Sequence, residues 1–269
     1  MEHSLKILSG TFTVLTLRYF VLAGIPFLVF YFFFTPYFAK SKIQVKKAVS
    51  KDFVREILHS LQSTAVFALI AYIILHTPLK HYTLVYDHLT DYPGWWVGAS
   101  LALSLVIHDT YFYWMHRLLH HKRLFRLTHL LHHKSTNPSP WTSYSFSFIE
   151  AFTEGAVLLV IVCLIPMHTL TIVLFAVVGF VINVYGHLGY EIAPRWLRHS
   201  FLFELINTSV HHNIHHRKFN GNYGLYFRVW DRLLKTENPD YVAEYDRIQA
   251  KRFGAVENAK NPTAASVYQ

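Results

Sequence analysis

Long apolar runs constrain this chain more than any other sequence feature. Residues 12–34 carry Arg18 as their single charge, and a helix of that length extends about 35 Å, enough to cross a bilayer. Three further apolar runs cover residues 58–75, 95–107 and 156–185. Pro166 interrupts the last run and predicts a helical hairpin. The sequence therefore predicts an all-α, polytopic membrane protein of about four transmembrane helices.

The distribution of charge predicts the orientation of these spans. Lysines and arginines crowd residues 36–55 and 117–150, whereas the loop 76–92 carries only Lys80. Because cytoplasmic loops carry the excess of Lys and Arg, we expect both basic segments to lie in the cytoplasm. The net charge of +9 is explained in this way, and nucleic-acid binding is not favoured.

The chain divides into three predicted segments. Residues 1–106 hold the N-terminal transmembrane helices and a basic loop, residues 107–236 hold a histidine-rich domain with the hairpin at about 156–185, and residues 237–269 form a polar tail. Cys163 is the only cysteine, which excludes an intramolecular disulfide and a cysteine zinc site. Any metal must therefore be held by other ligands.

Histidine spacing gives the strongest functional signal among the 19 histidines. Three sets repeat at helical spacings of three and four residues, so each set projects from one helix face: His116 and His120; His129, His132 and His133; and His212, His215 and His216. His187 and Glu191 are also four residues apart. Neutral imidazole is a common ligand for zinc and iron. The count fits two metal ions, with Glu191 as a further ligand or a hydrogen-bond acceptor for a ligand.

The other histidines have a plainer interpretation. We interpret seven of them as packing residues, and the roles of three that adjoin the sets stay open: His108, His121 and His211. Asp109 and Asp231 either accept the second N–H of a ligand imidazole or serve as helix caps and ion-pair partners. Glu150 and Glu154 are candidates for the same role at the mouth of the hairpin, or are simply interfacial.

Four segments together resemble the fatty acid hydroxylase and sterol desaturase superfamily, most closely its C-5 sterol desaturases and sterol methyl oxidases. They are DTYFYWMHRLLH at 109–120, HLLHH at 129–133, GHLGYE at 186–191, and HNIHH at 212–216 followed by NYG at 222–224 and WDRL at 230–233. The resemblance implies a metal centre with two iron ions held by nine histidines: His116, His120, His129, His132, His133, His187, His212, His215 and His216. Zinc is a possible substitute after purification.

The resemblance also implies an O2-dependent oxidoreductase that hydroxylates or desaturates a C–H bond of a membrane lipid. Two positions depart from the family pattern: Lys235-Thr236 replaces a common Gly-Thr, and Glu191 stands where acyl hydroxylases have a histidine. The second departure favours a sterol or sterol-like substrate over a fatty acyl, alkylglycerol or carotenoid one.

Electrons must come from a separate protein, because the sequence has no flavin, haem or iron–sulfur motif. A cytochrome b-type carrier, or a ferredoxin with its reductase, is the expected donor. The expected location is the endoplasmic reticulum if the chain is eukaryotic and the inner membrane if it is bacterial. A divalent-metal transporter is the alternative from a different class, but its ligands would lie within the spans.

Overall fold

The computed structural model describes residues 2–45 and 49–254 and is mainly helical. Its α-helices are α1 (Glu2–Phe27), α2 (Ser50–His76), α3 (Trp96–Leu119), α4 (Phe125–Thr128), α5 (Leu130–His133), α6 (Phe148–Leu164), α7 (Thr169–Gly186), α8 (Phe201–Leu205), α9 (Ser209–Lys218), α10 (Val229–Leu233) and α11 (Tyr241–Phe253). A π-helix (Leu28–Phe33) extends α1, and short 3-10 helices cover Ala39–Ser41, Pro78–Tyr82, Leu89–Asp91, Pro140–Tyr144 and Arg195–His199.

Three of the described helices are long and apolar enough to cross a membrane: Glu2–Phe33, Ser50–His76 and Thr169–Gly186. The sequence predicts about four. The third apolar run does form a helix, α3, but its buried face is polar at Ser100, Ser104 and Asp109, which lowers its hydropathy. The chain is thus an all-α polytopic membrane protein in which α3 is less apolar than expected.

The apolar run at 156–185 is divided by Pro166. Helix α6 ends at Leu164 and α7 begins at Thr169, because proline has no N–H for a helical bond and holds the preceding residue in an extended conformation. Between the two helices, β2 (Met167–His168) pairs in parallel with β1 (Val85–Tyr86). The side chain of His168 accepts a hydrogen bond from the Leu170 N–H and caps α7.

The main apolar core lies between α2, α3, α6 and α7. Most of its buried members come from α2, α6 and α7, among them Ile74, Val157, Ile161 and Phe175. Because lipid is as apolar as these side chains, the core is stabilised by close van der Waals packing rather than by removal from water. This core fixes the ends of α3, α6 and α7, from which the histidine-bearing loops emerge.

The predicted polar tail contains a packed helix. Helix α11 buries Tyr241, Tyr245 and Ile248 against Phe203 and Ile214, so this part of 237–269 belongs to a second core beside the histidine helices. The sequence signal is weak because charged residues such as Glu244, Asp246 and Arg247 are interspersed along this helix. Residues 255–269, the rest of the predicted tail, lie outside the described residues.

Two N-terminal side chains anchor the loops that follow the histidines. The buried carboxylate of Glu56 in α2 accepts hydrogen bonds from Ser135 Oγ at 2.6 Å and Ser139 Oγ at 2.7 Å. Tyr31 donates its hydroxyl to Leu188 O at 2.9 Å. The first two helices thereby hold the segments just after His133 and His187.

Candidate metal centre

The nine predicted ligand histidines come together in two groups. The five-histidine group consists of His116, His120, His129, His133 and His215, and the four-histidine group consists of His132, His187, His212 and His216. Within each group one nitrogen per residue lies within 4.8 Å of those of all the others. Eight of the nine residues are buried, and His120 is partly exposed. Together the nine side chains are called the histidine cluster below.

Adjacent histidines serve different groups. His132 and His133 are neighbours in α5, and His215 and His216 are neighbours in α9, yet each pair is divided between the two groups. Successive residues of an α-helix are rotated by about 100°, so neighbouring side chains point in different directions. The repeated HxxHH spacing therefore lets one short helix contribute to both groups.

Backbone carbonyls accept a hydrogen bond from the Nδ1 atom of several cluster histidines. His215 Nδ1 lies 2.7 Å from Gly221 O, His216 Nδ1 lies 3.0 Å from Ser135 O, and His187 Nδ1 lies 2.9 Å from Asn183 O. Since a carbonyl can only accept, each Nδ1 carries the hydrogen and donates it. The Nε2 atoms of these rings are consequently left with a free lone pair.

The same arrangement holds for two further histidines. His116 donates Nδ1–H to Tyr223 O at 2.9 Å, and His132 Nδ1 lies 3.3 Å from Ser145 O. The supporting carbonyls lie in loops, and no feature of the sequence identified Gly221, Ser135 or Ser145 as partners.

The free lone pairs point at one another. His187 Nε2 lies 3.2 Å from both His132 Nε2 and His216 Nε2, although all three donate through Nδ1 and so have no hydrogen to share there. In the five-histidine group, His116 Nε2 and His129 Nε2 are 2.9 Å apart. Converging lone pairs repel unless a cation lies among them. The residues therefore fit a metal ion in each group, and neutral imidazole nitrogens suit iron or zinc.

Burial keeps these ligands neutral. Removal from water lowers the pKa of His132, His212 and His216 well below the ordinary value, and neighbouring histidines lower it further. Burial also lowers the pKa of His187 and of His215 to about 4, although the hydrogen bond of each ring to a backbone carbonyl raises it. At neutral pH the rings are therefore unprotonated, as metal ligation requires.

Glu150 is the carboxylate that contacts the histidine cluster. It is fully buried in the first turn of α6, and its Oε1 accepts a hydrogen bond from His129 Nδ1 at 2.6 Å. A carboxylate in this position fixes the tautomer of the ring and makes Nε2 a stronger donor to a metal. Of the two roles that the sequence left open for Glu150, the contact supports the one beside the metal ligands.

The three carboxylates predicted to support ligands contact other groups instead. Asp109 Oδ1 accepts from the backbone N–H of residues 225–227, at 2.7 Å for Tyr226. Asp231 accepts from the N–H groups of Tyr223 and Gly224. These buried N–H groups need acceptors, and within the described residues the two aspartates supply them. Asp109 and Asp231 therefore hold the loop that carries Tyr223 O and contact no cluster histidine directly.

Glu191 is likewise a structural residue. Its Oε1 accepts from Tyr185 Oη at 2.7 Å and from the Ala193 N–H at 2.9 Å, and its Oε2 accepts from the Val210 N–H at 3.2 Å. Both oxygens are used within the described residues, so Glu191 neither belongs to a histidine group nor contacts a cluster ring. It holds the start of α9 against the end of α7.

The turn at 221–224 brings two supporting carbonyls to the cluster. Gly221 has φ +75°, and Asn222 has φ +55°, a conformation that asparagine tolerates better than most residues. Gly224 is required because a Cβ there would lie 2.3 Å from Phe227 O. The tight turn aims the carbonyls of Gly221 and Tyr223 at His215 and His116.

The histidines of uncertain role lie outside both groups. His121 is exposed beside the cluster, and His211 is buried against the ring of Tyr241. His108 lies two turns before His116 on α3 and lines a cavity.

This cavity, of about 580 Å³, lies between α1, α2, α3, α6 and α7. Its walls are mostly apolar, and it reaches the histidine cluster at two aromatic side chains. The ring centroids of Phe112 and His116 are 4.8 Å apart, and those of Phe146 and His132 are 5.2 Å apart. Each histidine group thus has a cavity-lining ring beside it.

Comparison with known proteins identifies the family. A family model described as Fatty acid hydroxylase matches residues 101–236, which include the whole histidine cluster. Among similar curated proteins, the lathosterol oxidase of Mus musculus is 29% identical over 77% of this chain and 67% of its own length. A Delta(7)-sterol 5(6)-desaturase of Schizosaccharomyces pombe is 30% identical over 78% of this chain and 67% of its own length. No solved structure matches. The chain therefore belongs to the fatty acid hydroxylase family.

Proposed function

We propose that this protein is a membrane-bound, O2-dependent oxidoreductase with two iron ions that hydroxylates or desaturates a C–H bond of a sterol or sterol-like lipid. The observation that carries the proposal is the convergence of imidazole Nε2 atoms in two groups beside an apolar cavity within the membrane helices. The similarity to sterol desaturases and lathosterol oxidases supports the choice of lipid.

The side chains around the cluster prepare the site for this chemistry. Iron bound by the histidines supplies the redox chemistry that activates O2 for attack on a C–H bond. The backbone carbonyls and Glu150 hold the imidazoles in one tautomer, so little reorganisation is needed on binding. Phe112 and Phe146 exclude water between the cluster and the cavity.

The cavity fits a lipid substrate. Its volume of about 580 Å³ falls within the usual range of small-molecule sites, about 300–1,000 Å³. The surrounding helices include all three candidate membrane spans, so we infer that an apolar molecule dissolved in the bilayer enters the cavity between them. Placement of the lipid within this space, to about an ångström, decides which carbon is oxidised.

A separate electron donor is part of the proposal. Exposed basic side chains lie on and after the end of α3, close to the cluster: Arg117, Lys122, Arg123 and Arg126. An acidic carrier, such as a cytochrome b-type protein or a ferredoxin, would be attracted to this surface. The excess of basic residues also supports a cytoplasmic location for the cluster, on the endoplasmic reticulum or on a bacterial inner membrane.

Transport of a metal ion is less well supported. The nine cluster histidines lie outside the three candidate spans, with His187 immediately after the last of them. A transported ion needs ligands near the bilayer midplane. The position of the cluster at the helix ends instead suits a lipid-modifying enzyme.

A product analysis with labelled oxygen tests the proposal. The iron-loaded protein in mild detergent is supplied with a chemical or protein reductant, 18O2 and a Δ7-sterol, and products are identified by mass spectrometry. Hydroxylation adds one 18O atom, whereas desaturation removes two hydrogens and adds none, both oxygen atoms then leaving as water. The proposal would be contradicted if the wild-type protein, supplied with O2 and reductant, formed no more sterol product than His215→Ala does.

A further inference from the structure

We propose that His108 and Tyr226 form a hydroxyl-binding subsite that selects lipids carrying a hydroxyl group and fixes their position in the cavity. This inference rests on the proposed function in taking the cavity as the substrate site. Both side chains line the cavity, and His108 Nδ1 lies 2.8 Å from Tyr226 Oη. They are called the His108–Tyr226 pair below.

The second ring nitrogen of His108, Nε2, is buried and has no hydrogen-bond partner among the described residues. The neighbouring rings are Phe112, Phe175 and Tyr226, and each meets the imidazole edge-on or nearly so. A buried polar nitrogen left unpaired costs about 1–3 kcal/mol, so a polar group of a bound lipid gains most by binding there.

The chemistry of the pair points to a hydroxyl. If Tyr226 donates to Nδ1, then Nε2 carries a hydrogen and needs an acceptor; if Nδ1 donates to Tyr226, then Nε2 needs a donor. A hydroxyl group serves as either donor or acceptor. A carbonyl satisfies only one tautomer, and a methylene satisfies neither.

Two contacts of the fold position this pair. Gly179 in α7 makes room for the tyrosine, because a Cβ at that position would lie 2.5 Å from Tyr226 Oη. Asp109, the residue after His108, accepts a hydrogen bond from the Tyr226 N–H at 2.7 Å. Tyr226 is thus hydrogen-bonded to α3 through its backbone N–H and through its side-chain hydroxyl. Packing of a tyrosine in an apolar wall requires neither contact.

The other polar groups of the cavity are a weaker match. Arg18 donates through Nη2 to Tyr144 Oη at 3.3 Å. Its Nε is also buried and unpartnered among the described residues, but an N–H that can only donate does not distinguish a hydroxyl from a carbonyl. Asn183 Nδ2 donates to Ser143 O at 2.9 Å. Glu154 also lines the cavity and is the competing candidate, but no positioning partner comparable to Tyr226 is found for it in the described residues.

The location of the pair gives it control over the site of oxidation. His108 precedes His116 by eight residues on one helix, which corresponds to about 12 Å along the axis. A hydroxyl held at His108 therefore determines which carbon of a rigid lipid reaches the histidine cluster.

Competition binding under anaerobic conditions tests the inference without turnover. Radiolabelled cholesterol bound to the purified iron-loaded protein is displaced by cholesterol or by cholest-5-ene, which lacks the hydroxyl, and 1-hexadecanol and hexadecane form a second matched pair. We expect the wild-type protein to prefer the hydroxylated member by about tenfold, the effect of one buried hydrogen bond. His108→Leu should remove this preference, and His108→Gln, which keeps a polar atom, should retain part of it.

Control variants make the outcome decisive. Leu158→Ala, at an apolar part of the cavity wall, should weaken both members of a pair equally and leave the preference unchanged. Equal affinity for both members in the wild-type protein would overturn the inference, as would a preference that survives in His108→Leu but is lost in Glu154→Leu. A preference limited to the hexadecanol pair would support the subsite and contradict the sterol substrate of the proposed function.

Discussion

The two histidine groups use the same ligand atoms but are supported differently. The four-histidine group is wholly buried, and its known outer contacts are neutral backbone carbonyls at Asn183, Ser135 and Ser145. The five-histidine group has one partly exposed member, His120, and an acidic support, Glu150, on His129. A carboxylate beside a ligand increases its basicity and offsets the charge of the metal. We therefore expect the two metal sites to be inequivalent, with tighter binding in the five-histidine group.

Loss of one ligand from either group gives the largest expected effect. His132→Ala removes a ligand of the four-histidine group, and His215→Ala removes one of the five-histidine group. We expect both variants to lose lipid oxidation to the background rate while still inserting into membranes, because the chemistry needs both metals. The rate of product formation per protein chain is the measurement. Sustained turnover by either variant would show that its group is dispensable.

Removal of the acidic support should affect one group only. Glu150→Gln keeps the shape of the side chain but not its charge, so we expect metal affinity in the five-histidine group to fall about 10–100-fold. The four-histidine group should bind as before. Metal titration followed by calorimetry measures both steps, and Glu204→Gln, in an exposed ion pair with Arg232, is the control. Equal weakening of the two steps would contradict the difference in support.

Acid should destabilise the metal-free protein through both groups. His187 and His215, one from each group, have pKa values of about 4 in the fold against an ordinary 6.5. Between these values the unfolded chain binds more protons than the folded one, so the free energy of unfolding falls as pH decreases from about 6.5 to about 4. Above about pH 7 it should be insensitive to these groups. Thermal unfolding of chelator-treated protein across this range, with His187→Gln as comparison, measures the effect; a stability that rises on acidification would be the opposite result.

Weakening the loop that supports the five-histidine group should have the smallest effect. Asp109→Asn leaves an acceptor for the N–H groups of residues 225–227 but removes its charge, for an expected loss of about 1–3 kcal/mol in the free energy of unfolding. Asp246→Asn, in an exposed ion pair with Arg198, is the control and should change little. Apparent Tm in detergent reports the difference. Equal shifts for the two variants would mean that Asp109 does not anchor this loop.

The sequence indicates which histidines converge better than it indicates their surroundings. Spacing at three and four residues identified eight of the nine histidines because helical periodicity is local, whereas His187 was paired by spacing only with Glu191. The division of His132 from His133 and of His215 from His216 was not predicted, since it depends on which helices meet. The hairpin break at Pro166 was predictable for the same local reason.

Long-range partners were the least predictable feature. Asp109 is separated from Tyr226 by more than a hundred residues, and its neighbours in sequence suggested a histidine contact rather than a backbone one. His129 and Glu150 are closer in sequence, but their contact depends on the packing of α6. The buried face of α11 is hard to see in the sequence because charged residues such as Glu244, Asp246 and Arg247 are interspersed along the helix. In each case the contact follows from tertiary packing.

Elemental analysis of metal per chain tests the central claim most directly. The protein is purified anaerobically in mild detergent and compared with His132→Ala, His215→Ala and the double variant. We expect about two iron atoms per chain, about one in each single variant and almost none in the double variant, with zinc in the same ratios if it replaces iron. Substoichiometric metal that is unchanged in all three variants would contradict the assignment of the histidine cluster as a centre for two metal ions.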